Sequence, residues 1–166
     1  CSTDEVYGET AINDIDCKNE STSLLCPTNP YAASKAAAEL LANSYYKSFN
    51  IPVIITRGNN VYGINQYPEK VIPKFINQLI NNKQITIQGD GSAIRGFLYI
   101  DDVVSAFITI LKKGKIGEIY NIGTDTSNEI TILELGKLLI KKISPNKTNC
   151  IKYIEDRPFN DHRYYI

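Results

Sequence analysis

The chain has 166 residues, 43% of them hydrophobic, which suits one globular domain with a packed core. Its formal net charge is zero and no basic stripe is evident, which argues against nucleic acid, and no apolar run reaches the roughly twenty residues of a membrane helix. Four scattered cysteines (Cys1, Cys17, Cys26, Cys150) and a lone histidine, His162, offer neither a metal-ligand spacing nor a disulfide framework, so a reduced, cytoplasmic setting is expected.

Methionine is absent, position 1 included, and the chain opens on what reads as a strand end. A preceding N-terminal part is expected. Ser2-Thr3-Asp4-Glu5 ends that buried strand, where α/β enzymes keep polar chemistry. Two adjacent carboxylates can hold different protonation states when their surroundings differ. The bland alternative is a solvated loop. Residues 9–28 are polar and read as a connection.

Asn29-Pro30 starts a helix over 31–48, rich in Ala and Leu. Tyr31 and Lys35 lie four residues apart, on one helical face. An ammonium beside a phenol favours the phenolate, so the Tyr31 pKa is expected to fall toward working pH. Such a Tyr can take a proton from a substrate hydroxyl. Eleven Tyr and fourteen Lys in 166 residues give about one such spacing by chance, so the pair needs its context.

Asn50-Ile51-Pro52 ends the helix, and Val53-Ile54-Ile55-Thr56 reads as a parallel strand. Arg57 to Gly63 follows as a polar loop off a strand end, a place where doubly wound sheets keep ligands, or as a plain turn. A helix is expected at about 70–82, with Lys70 in its first turn. Ile85-Thr86-Ile87-Gln88 is a short strand, and Gly89-Asp90-Gly91 a turn. Arg95 interrupts an apolar setting, and its fork of donors suits a phosphate oxygen. Asp101 and Asp102 open a helix to residue 113 and complement its dipole. Glu118 to Gly123 is a strand, Thr131-Ile132 opens a helix to about 143, and Ile151 to Ile154 is the last strand.

Thr3-Asp4-Glu5, Tyr31-x-x-x-Lys35, Asn60-Val61-Tyr62-Gly63 and Asp156-Arg157-Pro158 together resemble the extended short-chain dehydrogenase/reductase family. Within it they resemble the nucleotide-sugar 4,6-dehydratases of the dTDP-glucose 4,6-dehydratase type, over nearly the whole chain. The resemblance implies an α/β fold: the C-terminal part of a Rossmann-like doubly wound parallel sheet plus a smaller substrate-binding α/β region. Residues 1–63 are then the later part of an NAD-binding domain. Residues 64–166 mostly form the nucleotide-sugar region, with 95–123 returning to the main sheet.

The same resemblance implies catalytic roles for Thr3, Asp4, Glu5, Tyr31 and Lys35. NAD contacts fall on Tyr31, Lys35 and Asn60. Substrate contacts fall on Asn60, Lys70, Thr86 and Gln88, then on Arg95, Asn121, Arg157 and Asn160, the two arginines at the diphosphate. A homodimer built on the 31–48 helix is expected. The implied reaction is loss of water from a nucleoside-diphosphate glucose, dTDP- or UDP-linked. The chain departs from the family at Gly96, where bacterial members commonly carry Asp, and at Phe159 and Asn160, where Gly and His are frequent. A 4-epimerase or a uronate decarboxylase is the alternative enzyme, although such relatives generally lack the full Thr-Asp-Glu run. A binding module without turnover is the alternative class, because no Gly-x-Gly-x-x-Gly loop is present.

Overall fold

The computed structural model describes residues 1–11, 14, 16–158 and 161–166. Three small sheets organise them. The first is fully parallel: β1 (Ser2–Thr3) pairs with β2 (Ile55–Gly58), which pairs with β6 (Ile119–Ile122). The register sets Thr3 opposite Gly58 and Arg57 opposite Asn121. The second sheet joins β3 (Asn60–Tyr62) in parallel to β5 (Ile94–Tyr99), with β7 (Glu129–Thr131) antiparallel on its other side. The third is the parallel pair β4 (Ile85–Gln88) and β8 (Ile151–Ile154).

Parallel strands with intervening helices make this an α/β fold, with a sheet of the doubly wound type and a smaller α/β region beside it. Residues 60–62 are a strand, where sequence reading expects a loop. Pairing with β5 explains the difference: Tyr62 lies opposite Tyr99 and its ring packs on Phe97 and Tyr99, with centroids 6.4 and 5.5 Å away.

Local chemistry accounts for the helix ends. Helix α1 (Pro30–Phe49) begins with Pro at its first position and Asn29 as cap, the side chain accepting from Ala32 N at 2.9 Å. It ends on Asn50, whose φ of 56° is left-handed and whose N–H reaches Tyr46 O. Helices α2 (Val71–Ile80) and α3 (Ile100–Lys113) follow. Helix α4 (Ile132–Ile143) opens on a full capping box, Thr131 and Glu134 each bonding the other's backbone.

The larger core joins α2, β4, α4 and β8. Phe75, Leu79, Ile85 and Ile87 are at most 1% exposed there. Each contributes about 1.5–3 kcal/mol through burial of its apolar surface. Gly136 lets α4 approach the strand: a Cβ there would lie 2.7 Å from Ile85 Cδ1. A second cluster of Val6, Tyr7 and Ala36 seats the segment after β1 against α1.

Candidate active site

Strand β1 is only two residues long because the chain turns at once into a 3₁₀ turn, Asp4–Tyr7. Thr3 caps it. Its Oγ1 accepts from Glu5 N at 3.4 Å and donates to Asp4 Oδ1 at 3.0 Å. Gly8 closes the turn with φ of 79°, and a Cβ at that position would lie 2.2 Å from Cys26 O. Buried Val6 and Tyr7 anchor the turn below, so Asp4 and Glu5 are presented at a fixed end of the parallel sheet.

The two carboxylates meet different surroundings. Asp4 is 4% exposed, and Asn59 Nδ2 donates to its Oδ2 at 2.7 Å. Burial dominates over this bond and over Thr3, and pushes the Asp4 carboxyl up to about 6. Asn59 is fixed in turn, its Oδ1 accepting from Thr124 N at 3.0 Å. Gly96 makes the room: a Cβ there would lie 2.6 Å from Thr124 Cγ2 and 3.3 Å from Asn59 Oδ1. Glu5, by contrast, is half-buried, and its Oε2 accepts from Asn29 Nδ2 at 3.1 Å.

Tyr31 enters the same cluster from the first turn of α1. Partial burial of its phenol, then the charges of Glu5 and Asp4, raise its pKa, while Thr3 opposes the rise. This corrects the sequence expectation of a lowered value. The physical reason is partial burial of the phenol first and the two acidic groups beside it second, while the Lys35 Nζ donates to Cys1 O at 2.7 Å.

The arginines expected at a diphosphate are brought together. Burial lowers the Arg95 pKa most, Tyr164 opposes this, the Arg157 charge lowers it further, and Asp4 and Glu5 oppose. Arg95 therefore lies within electrostatic reach of both Arg157 and the acidic pair. Its Nη1 and Nη2 donate to the carbonyls of Ile94 at 2.7 Å and Asp161 at 2.8 Å, and its guanidinium lies 5.2 Å from the Tyr164 ring centre. Gln88 and Asp156, the neighbour of Arg157, line one cleft of about 240 Å³ with Ser92 and His162.

Other expected contacts are exposed or engaged within the protein. Asn60 and Lys70 are exposed, on β3 and at the cap of α2. Thr86 is tied to Gln78 by two bonds of 3.3 Å. Asn121 spends its side chain inside the protein, accepting from Tyr7 Oη at 2.9 Å and donating to Lys18 O at 3.2 Å. Asn160 lies outside the described residues.

Sequence reading missed Asn29, Asn59, Asp161 and Tyr164 as parts of this cluster. It also missed Arg57, 3% exposed, which donates to Glu39 and to Tyr7 Oη at 2.6 Å and so ties β2 to α1 beneath the site. The available signal was Glu39 inside an Ala-rich helix and Arg57 directly after a β-branched run.

Comparison with known proteins places the chain in a family. The NAD dependent epimerase/dehydratase family model matches residues 1–123. The chain is 51% identical to a dTDP-D-glucose 4,6-dehydratase of Dictyostelium discoideum, over 99% of this chain and 47% of that protein. It is 49% identical to a trifunctional UDP-glucose 4,6-dehydratase/UDP-4-keto-6-deoxy-D-glucose 3,5-epimerase/UDP-4-keto-L-rhamnose-reductase of Arabidopsis thaliana, over 99% of this chain and 24% of that protein. Among solved structures, a dTDP-glucose 4,6-dehydratase of Bacillus anthracis in complex with NAD superposes with a TM-score of 0.90 at 39% identity, over 99% of this chain and 50% of that one. The chain thus spans about half the length of the dehydratases it matches, or less. The family match and these identities show that the chain belongs to the NAD dependent epimerase/dehydratase family.

Proposed function

We propose that the full-length protein removes water from a nucleoside-diphosphate glucose, dTDP- or UDP-linked, to give the 4-keto-6-deoxy sugar nucleotide, with NAD as cofactor. One observation carries this reading. Two adjacent carboxylates in opposed environments stand beside Tyr31: Asp4, buried and raised to about 6, and Glu5, half-buried and held by Asn29. Water loss needs an acid and a base besides the group that serves oxidation. An epimerase has little need of that extra pair.

In this reading Tyr31 takes the proton of the sugar 4-hydroxyl and Thr3 hydrogen-bonds the same oxygen. Once carbon 4 is a ketone, the proton on carbon 5 becomes acidic and Glu5 removes it. Asp4 keeps its proton to higher pH than an ordinary carboxyl and gives it to the departing 6-hydroxyl. A protonated Asp4 also removes one of the two charges that oppose ionisation of Tyr31.

Tyr31 and Lys35 would hold NAD, with Asn60 nearby. They fit it: Tyr31 is 55% exposed, and the Lys35 ammonium has three donors, of which one is used among the described residues, on Cys1 O. When bound, NAD would supply the hydride acceptor for oxidation at carbon 4 and the hydride source for the later reduction at carbon 6. Arg95 and Arg157 serve the diphosphate. Lys70, Thr86, Gln88 and Asn160 complete the nucleotide-sugar site.

Residues 1–63 belong, in this proposal, to the NAD-binding domain and 64–166 mostly to the substrate region. The protein is a homodimer joined through α1, a reading supported by Leu40, Leu41, Tyr45 and Phe49, each more than half exposed on that helix. No described helix is long and apolar enough to cross a membrane. Four free thiols support a cytoplasmic setting. The test is mass spectrometry, for water loss, and proton NMR, for the configuration at carbon 4, of dTDP-glucose and UDP-glucose after incubation with the full-length protein and NAD. Loss of one water is expected from one of them. Inversion at carbon 4 without water loss would assign an epimerase instead.

A further inference from the structure

Asn29 does more than begin a helix. Its Oδ1 accepts from Ala32 N at 2.9 Å, which caps α1. Its Nδ2 donates to Glu5 Oε2 at 3.1 Å and to Asp161 Oδ2 at 3.4 Å. The orientation of the amide is dictated by these partners. Turned over, it would set a donor against the Ala32 N–H and an acceptor against two carboxylates.

We propose that Asn29 is a positioning residue for Glu5, one side chain that both starts the helix carrying Tyr31 and holds the Glu5 carboxylate against that start. The proposal rests on the reading of Glu5 as the base that removes the carbon 5 proton. Asn29 binds one carboxylate oxygen of Glu5. The other, Oε1, makes no hydrogen bond among the described residues and is left to meet the substrate. Asn29 also links Glu5 to the arginine end of the site. Asp161 accepts from Tyr164 as well, and the Tyr164 ring lies beside the Arg95 guanidinium.

Capping alone does not call for asparagine. Asp and Ser cap a helix about as well. Only the amide adds a donor that reaches Glu5. Asn29→Ser keeps a capping oxygen and removes that donor. Asn29→Asp keeps the cap and sets a third carboxylate beside Glu5 and Asp161.

The test uses both variants in the full-length protein, with helix content by circular dichroism, single-turnover absorbance for carbon 4 oxidation, and mass spectrometry for water loss. Both variants are expected to keep their helix content and their KM, and Asn29→Ser also the unmodified rate of oxidation. Water loss is expected to fall roughly 10- to 100-fold, as a misplaced group near the reacting atoms costs. Unmodified water loss in both variants overturns the proposal. So does a joint fall of oxidation and water loss with loss of helix, which is the pattern of a cap alone. A crystal structure of Asn29→Ser separates this proposal from the dehydratase reading. Glu5 is expected to leave the start of α1. If it stays, the proposal fails whatever reaction the protein catalyses. If the unmodified protein removes no water while Glu5 still moves, only the dehydratase reading fails.

Discussion

Replacing Asp4 by Asn should stabilise the fold above pH 6 and flatten its pH dependence. The Asp4 carboxyl is raised from an ordinary 3.8 to about 6, with burial as the largest cause. The folded state therefore binds a proton more tightly than the unfolded state does. The stabilising contribution is complete below pH 3.8 and is lost as pH rises through about 6. Roughly two pKa units at about 1.4 kcal/mol each give about 3 kcal/mol. The group is 4% exposed, so solvent screening does not erase this figure. Asparagine is nearly the same shape. Its carbonyl accepts from Asn59 Nδ2 where Asp4 now does, and its amide can donate to Thr3 Oγ1. Urea unfolding of the unmodified and Asp4→Asn proteins across pH 4 to 8 measures the effect. The variant should gain stability over the parent as pH rises, with the gain levelling off above about pH 7. Parallel profiles would refute the claim that Asp4 is buried with a raised pKa.

Two other substitutions probe the scaffold and the substrate grip. Glu39→Gln removes the charge opposite Arg57, a pair whose side chains are 4% and 5% exposed with a contact of 2.5 Å. Breaking such a pair costs about 3–5 kcal/mol, and urea unfolding showing under 1 kcal/mol would mean that the pair does not hold β2 to α1. Arg157→Ala should weaken nucleoside-diphosphate binding by about 1.5–3 kcal/mol, the worth of a charge-assisted contact, and unchanged affinity by calorimetry would remove Arg157 from the diphosphate.

Helices and buried strands were legible because their signals are local. Pro30 after a capping Asn29, the apolar spacing of Phe75 and Leu79, and the Thr131–Glu134 box each announce an element within a few residues. Strands β3 and β7 were not legible. Each has three residues and exists through its pairing with β5, which no local pattern reports. The same division runs through the site. The acidic pair and the Tyr31–Lys35 spacing stand out in the chain. What Asn29 and Asn59 do depends on partners 24 and 55 residues away, and an isolated asparagine reads only as a cap or a turn. The rise in the Tyr31 pKa was hidden for a related reason. The i to i+4 spacing shows Lys35 but not Glu5 and Asp4, which reach the phenol from another element.

The central claim is a division of labour: Tyr31 serves oxidation at carbon 4, and Glu5 serves elimination after it. Single-turnover absorbance in the near ultraviolet, read beside product formation on the full-length protein, tests this most directly. Tyr31→Phe should give almost no reduction of bound NAD. Glu5→Gln should still reduce it on mixing with substrate, yet release about a hundred- to ten-thousandfold less 4-keto-6-deoxy product, the usual worth of a general base. Turnover of Glu5→Gln at the unmodified rate would contradict the account and leave the carboxylates as a polar turn.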